Sequence, residues 1–362
     1  MKKLAIALMA CAALTFTFSA CKGGAAKGNK IGVSMPTKSL PRWVKDGENM
    51  KKQLEAAGYT VDLQIAGDND IPTQVNQLEN MIEQGCKVLV IAAIDGSALT
   101  KVLDTAKKAG IGVVSYDRLI MNTDAVNYYA TFDNYKVGVL QAQYLIEKLD
   151  LDNAPGPFNI EMFTGDAADN NINFFFGGAK DTLQPYFDNG KLKVLSGQTE
   201  QAQCATPNWS VEEAQKRMEN LIVNQKYGKG GVKLDAVLCS NDTTALGVTT
   251  ALTGSGFTSA DIPVITGQDG DVPNVKNIIV GTQGMSVFKD TRILASQAVK
   301  MVDAIMKGEI PETNDNQSYN NGTGIIPTFL CQLFVVTADN YKEVLIDTGY
   351  YTADELKTDD IK

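Results

Sequence analysis

The chain has 362 residues, of which 44% are hydrophobic and 21% charged, and a formal net charge of -9. That length and balance suit a globular protein of two ordinary domains, and an acidic chain without a dense Lys/Arg stripe argues against nucleic acid as a partner. Histidine is absent, which excludes Ser-His-Asp and Cys-His catalysis, histidine metal ligands and a histidine proton switch.

Lys2 and Lys3 precede an uncharged stretch, residues 4–20, and then Cys21. This is the layout of a signal peptide, with a basic start, an apolar middle and small residues at the cut. A transmembrane anchor is the alternative; at about 17 residues the stretch is at the short limit for a span, and Ser19-Ala20 reads as a processing signature. Phe18-Ser19-Ala20-Cys21 resembles a bacterial lipobox, which would make Cys21 a lipid-bearing residue, with Phe18 in place of the usual Leu. Residues 21–29 then read as a flexible tether.

Beyond the tether, strand and helix patterns alternate. Residues 30–35 read as a strand, 44–57 as a helix ended by Gly58, and 61–65 as a strand. Pro72 opens a helix through 84, with Val75, Leu78, Met81 and Ile82 on one face. Residues 88–93 are a continuous apolar run, the pattern of a strand buried on both faces. A helix over 98–109, strands over 111–115 and 128–132, and a helix over 137–149 complete a first block. A second block follows, with strands over 158–163, 192–195, 236–239 and 263–266 separated by helices over 175–187, 211–225 and 244–252. Late elements are a strand near 285–288, a long helix over 292–306, an apolar stretch over 330–336, and a last turn and helix over 336–349. Two successive βαβ blocks predict α/β architecture with two doubly wound parallel sheets.

Ligands of open α/β sheets sit beyond the carboxyl ends of the strands, so the residues that end each apolar run are the candidate site. They are Asp95, Asp117-Arg118, Asp169-Asn170-Asn171, Asn241-Asp242 and Asp269, with Lys38, Arg42 and Trp43 after the first strand. Carboxylates that accept from hydroxyls, and arginines and amides that donate, suit a neutral polyhydroxylated ligand. Trp43 and Trp209, the two tryptophans, fall one in each half and could grip the C–H faces of a ring. The same residues have plainer readings. Asp95 and Asp242 read as caps rather than ligands, Asp117-Arg118 could be a surface ion pair, and either indole could belong to a core. Of the six cysteines, Cys86, Cys204, Cys239 and Cys331 lie beyond the tether and show neither a CxxC pair nor metal spacing.

The same residues resemble a known family. PTKS (36–39) with Arg42-Trp43, VLVIAAIDG (88–96), SYDRLI (115–120), YYATFDNYKVGVLQA (128–142), GPFNIEMF (156–163), DNN (169–171), SGQ (196–198), GQDGDVPNVK (267–276), VFKDTR (287–292) and DTGYY (347–351) together resemble type I periplasmic sugar-binding proteins of ABC importers. The pattern is similar to multiple-sugar-binding receptors of the ChvE type and to xylose-binding proteins. The resemblance implies sugar contacts from Arg42, Trp43, Asp117, Arg118, Asn170, Trp209, Asn241, Asp269 and Lys289, with Asp169 and Asn171 as neighbours. Lys289 rests on the resemblance alone. Residues 199–208 depart from the ChvE pattern, with Asn208 where an Arg is expected, and Asn241 follows the xylose-type Ser-Asn-Asp. Asp150-Leu151-Asp152-Asn153 before Ala154-Pro155 offers too few oxygens for the calcium loop of galactose-binding relatives, so no metal or other cofactor is expected.

The resemblance further implies two lobes joined by three crossings. They would comprise 30–132 with 291–322, and 133–290 with 323–362, after a signal peptide over 1–20. It implies an extracytoplasmic lipoprotein, held at the membrane by its lipid anchor only, that captures a monosaccharide and passes it to an ABC permease, with a chemoreceptor or sensor kinase as a second partner. No catalysis is expected. Two other classes are weaker. A LacI-type repressor would need a helix-turn-helix module where the signal sequence stands. A sugar-modifying enzyme without histidine would need a carboxylate pair, which Asp117 and Asp269 could form, or a Lys. Residues 228–231, GKGG, lack the GK[ST] ending of a phosphate loop.

Overall fold

The structure, a computed structural model, describes residues 28–359. The signal-peptide and lipobox readings, Cys21 included, lie outside the described residues. Among the described residues no helix is long and apolar enough to cross a membrane.

The first lobe begins with β1 (Lys30–Met35), α1 (Pro41–Ala56), β2 (Thr60–Ile65), α2 (Ile71–Glu83), β3 (Val88–Ile91), α3 (Thr100–Lys108), β4 (Gly112–Tyr116) and β5 (Tyr128–Phe132). Local chemistry sets these bounds. The Asp70 side chain accepts from Thr73 N at 3.1 Å to start α2, and Gly85, at a φ of 80° that suits glycine, lets the chain leave it. β3 is buried at every position because helices cover both faces of its sheet.

The chain leaves this sheet at Asp133, which caps α4 (Asn134–Lys148) by accepting from Lys136 N. The second lobe continues with β6 (Phe158–Phe163), α5 (Asn171–Asp188), β7 (Leu192–Lys193), α6 (Gln201–Cys204), α7 (Val211–Gln225), β8 (Ala236–Cys239), α8 (Asp242–Gly254), β9 (Val264–Ile265), β10 (Gln268–Asp269), α9 (Val272–Val280) and β11 (Ser286–Lys289). α4 and α5 touch backbone to backbone: a Cβ on Gly138 would lie 2.0 Å from Phe175 O, and one on Gly178 2.1 Å from Tyr135 O. Only glycine permits that approach, and it fixes the start of α5 beside the first lobe. α9 has no counterpart in the sequence reading.

At Asp290 the chain returns to the first lobe as α10 (Thr291–Lys307), which packs on α1 and on β3, β4 and β5. β12 (Thr328–Cys331) then adds to the first sheet, parallel to β5, and β13 (Leu333–Val336) pairs antiparallel with β11 in the second lobe. The first sheet therefore runs β12-β5-β4-β3-β1-β2. The second runs β7-β6-β8-β9 and continues as β10-β11-β13, with Val287 N donating to Gly267 O across the break.

This corrects the third crossing and with it the lobe limits. The passage is not at 322–325; it falls at Gln332, so residues up to Cys331 stay with the first lobe. The apolar stretch 330–336 that reads as one element is two strands in different lobes, and the exposed Gln332 marks the break. Residues beyond β13 pack on the second lobe, where Leu345, Tyr351 and Leu356 join Val275 and Phe288. Cys86, Cys204, Cys239 and Cys331 are all buried and free.

Candidate functional site

A narrow polar cavity with about 30 Å³ of free volume lies between the lobes, room for about two waters as the lobes stand, so a ring would enter as they part. Its centre is Arg42, in the first turn of α1. Nη2 is 2.8 Å from Asp117 Oδ2 in the same lobe, and Nη1 is 3.0 Å from Asp269 Oδ1 in the other. Asp46, one turn along α1, is 3.4 Å from Nη2. Lys289, at the end of β11 in the second lobe, reaches back: Nζ is 3.3 Å from Asp269 and 4.0 Å from Asp117. Arg118 follows Asp117 and crosses too, with Nε 3.0 Å from Asp169 Oδ2, while its Nη1 donates to Ala93 O at 3.1 Å. Three cations thus link carboxylates across the cleft.

Burial and charge set the protonation states. Burial works against the Arg42 guanidinium, but Asp117, Asp269 and Asp46 outweigh it and raise its pKa above the ordinary value. Burial would raise Asp117, yet Arg42, Lys289 and Arg118 hold its carboxyl below the usual range. For Asp46 burial wins over Arg42, and its pKa is pushed up to about 7. Burial likewise raises Asp169 in spite of Arg118.

Eight of the nine residues expected from the sequence line this cavity: Arg42, Trp43, Asp117, Arg118, Trp209, Asn241, Asp269 and Lys289. Asn170 does not. It stands before α5, where its Oδ1 accepts from Asn173 Nδ2 at 3.1 Å on the exposed side. Asn171, the first residue of the helix, turns inward instead and donates to Asp117 O at 2.9 Å, while its Oδ1 accepts from Tyr129 OH and Asn134 Nδ2. Among the caps, Asn241 rather than Asp242 closes the start of α8, accepting from Thr244 N at 2.9 Å. Its amide Nδ2 remains as its side-chain donor. Asp242 is buried and accepts from the backbone of Gly270 and Asp271. Asp95 accepts from Ser97 N in a turn and stays outside the cavity.

The two indoles differ in setting. Trp209 lies over Gly165, where a Cβ would come within 2.1 Å of the ring, and meets the edge of Phe175 at 6.3 Å. Asn208 and Trp209 hold φ values of 57° and 53°, a left-handed pair that only surrounding contacts sustain. Trp43 belongs to the first-lobe core, and the guanidinium carbons of Arg42 and Arg118 lie 4.4 and 5.2 Å from its ring centre. Its cleft-facing side is thus a platform for arginines. Asp117 and Asp269 also have positive φ, 60° and 99°, which turns each carboxylate off its strand end.

Leu40, Phe175 and Gln268 line the cavity without having been singled out in the sequence. Phe175 is four residues after Asn171 on α5, so the two share a face; that spacing was the available signal. Gln268 is buried, and its Oε1 has no hydrogen-bond partner in the protein. The indole Nε1 atoms of Trp43 and Trp209 are in the same condition. Buried polar atoms are normally paired, so these three cavity-lining residues each keep unused hydrogen-bonding capacity. Among the described residues no group of His, Cys, Asp and Glu could hold a metal ion.

Two parallel α/β lobes, three crossings and a polar cavity between them make a type I periplasmic binding protein. The chain belongs to that family: the family model described as a periplasmic binding protein domain matches residues 31–310. The chain is 48% identical to the multiple sugar-binding periplasmic receptor ChvE of Rhizobium radiobacter, over 98% of this chain and 100% of the relative. It is 36% identical to the D-xylose-binding periplasmic protein of Escherichia coli K12, over 98% of this chain and 100% of that one. Among solved structures, an ABC transporter solute binding protein from Clostridium phytofermentans with bound β-D-glucose is 60% identical. It superposes with a TM-score of 0.87 over 91% of this chain and 100% of that chain.

Proposed function

We propose that this protein is an extracytoplasmic receptor that captures an aldose monosaccharide between its lobes and delivers it to an ABC permease. The observation that carries this reading is the cleft itself: polar, crossed by three ion-paired links between the lobes, and lined by buried residues that keep unused hydrogen-bonding capacity. The names of the relatives point the same way, since they are said to bind several sugars, D-xylose or β-D-glucose.

In this reading Asp117, Asp169 and Asp269 accept from sugar hydroxyls, and Arg42, Arg118, Lys289 and Asn241 donate. Trp209 covers one face of the ring. Gln268 adds an acceptor and Asn171 takes the place of Asn170. Closure desolvates these contacts, which strengthens them, and brings the lobe faces into the arrangement a permease would read. In this reading the cations hold Asp117 as an acceptor for sugar hydroxyls, and no bond of the sugar is made or broken. Delivery to a chemoreceptor or sensor kinase is a second reading of the same closed state, favoured by the resemblance to ChvE-type receptors.

Calorimetric titration of residues 28–362 with xylose, glucose, galactose, arabinose, fucose and ribose tests the reading. At least one should bind at micromolar affinity or tighter, about -8 kcal/mol. Absence of heat with all six, from protein stripped of bound ligand, would overturn it. We also infer that Cys21 carries a lipid anchor after cleavage behind Ala20. Replacing it, Cys21→Ser, should move the protein from the membrane fraction to the soluble one, and unchanged membrane attachment would exclude that anchor.

A further inference from the structure

Beside the sugar cavity lies a second and larger chamber of about 280 Å³. The two share Leu40, Arg42, Asp269 and Lys289, so a single partition of side chains separates the inner one from the outer one. Both lobes contribute to the outer chamber, as they do to the inner.

The walls differ in kind. Leu40, Val211, Leu246, Val272 and Pro273 give the outer chamber an aliphatic surface. Its polar groups are mostly engaged with one another or with the backbone. Asn274 Nδ2 donates to Asp242 O at 2.7 Å, Thr291 Oγ1 and Tyr350 OH are 3.1 Å apart, and Tyr351 OH donates to Gly270 O at 3.0 Å. The faces of its two tyrosines are also taken: Lys45 stands 4.9 Å over Tyr351, and Arg292 4.9 Å over Tyr350. A second sugar ring would ask for several free hydroxyl partners and a free aromatic face; this wall offers Asp271 and Thr243 for the first, and the faces of its two tyrosines are taken. An apolar group asks only for area removed from water.

We propose that the outer chamber is an aglycone subsite, which takes the apolar substituent of an alkyl or aryl glycoside whose sugar ring occupies the inner cavity. The proposal rests on the sugar-receptor reading and extends it from free aldoses to glycosides. Leu40, the one aliphatic member of the shared partition, flanks the path of the glycosidic bond.

The test is calorimetric titration of residues 28–362 with glucose, galactose and xylose, with the methyl and phenyl glycosides of each in both anomers, and with cellobiose and maltose. For an aldose that binds, one anomer of its phenyl glycoside should bind within tenfold of the free sugar or tighter. Leu246→Lys, a change on α8 outside the inner cavity, should weaken that phenyl glycoside at least tenfold and leave the free aldose within twofold. Free aldose binding with every phenyl glycoside more than tenfold weaker overturns the subsite and leaves the receptor reading intact. Equal losses for both ligands in Leu246→Lys, or cellobiose or maltose binding tighter than the phenyl glycosides, also overturn it. No binding of any aldose or glycoside overturns both.

Discussion

Trp209 shows how much one side chain depends on its neighbours. Its ring rests on Gly165, its edge on Phe175, and its backbone is held at a φ of 53°, a strain of about 1–3 kcal/mol that the surroundings sustain. Trp209→Ala should weaken aldose binding at least tenfold with the melting temperature nearly unchanged, and titration beside a thermal melt checks both. Gly165→Ala should do similar harm without touching the indole, because the new Cβ would displace the ring; unchanged affinity in that variant would remove Trp209 from the site. Arg118→Ala should weaken binding while the chain still folds, since its contacts are Asp169 and two carbonyls at the cleft; an unfolded variant would favour a structural role. At this scale the sequence was most informative where a polar residue ends an apolar run, as with Asp117 and Asp269. It was least so where one position decides in or out. Nothing in Asp-Asn-Asn says which asparagine begins α5, and the helix phase gives the cavity to Asn171. Lys289 has no local signal, because a lysine near a strand end is ordinarily solvated.

Among elements, α1 carries an unusual pair, Arg42 and Asp46 one turn apart, with Asp46 fully buried and facing Arg42, Asp117, Tyr116 and Thr291. Burial pushes its pKa up to about 7 from 3.8, against Arg42. A carboxyl raised in this way holds a proton more tightly in the folded chain than in the unfolded one. Its contribution to stability is full at low pH and is lost as pH rises through about 7. Asp117, depressed by its cations, behaves oppositely, and its contribution fades as pH falls below the carboxylate range. Comparison with Asp46→Asn isolates the first effect. Between pH 4 and pH 7 the wild type should lose stability relative to the variant, read as a growing gap between their denaturant midpoints; a constant gap would mean that Asp46 is ionised throughout. Long periodic elements were plain in the sequence. The end of the chain was not, because apolar content reports burial without saying in which lobe, and only the pairing of β12 with β5 and β13 with β11 divides residues 328–336.

For the whole molecule, closure rests on reciprocal reach: Arg42 extends from the first lobe to Asp269, and Lys289 from the second to Asp117. Removing one partner of a buried pair leaves an uncompensated charge, which costs about 3–5 kcal/mol. Arg42→Met would leave Asp117, Asp269 and Asp46 facing one another, with Lys289 and Arg118 as the cations that still act on Asp117. That variant should populate an open form, seen as a larger radius of gyration by X-ray scattering that sugar no longer reduces; a radius equal to that of the wild type with sugar would refute it.

The buried cysteines have a practical consequence. Residues 28–362 contain four thiols, all enclosed within the lobes, and burial raises the pKa of each above the ordinary thiol value. Reagents that need an accessible thiolate will pass them by. One cysteine introduced on the rim of each lobe would therefore take label selectively without stripping the native ones. A fluorophore pair placed there would turn lobe closure into an optical signal, making the domain a ready frame for a reagentless sugar sensor.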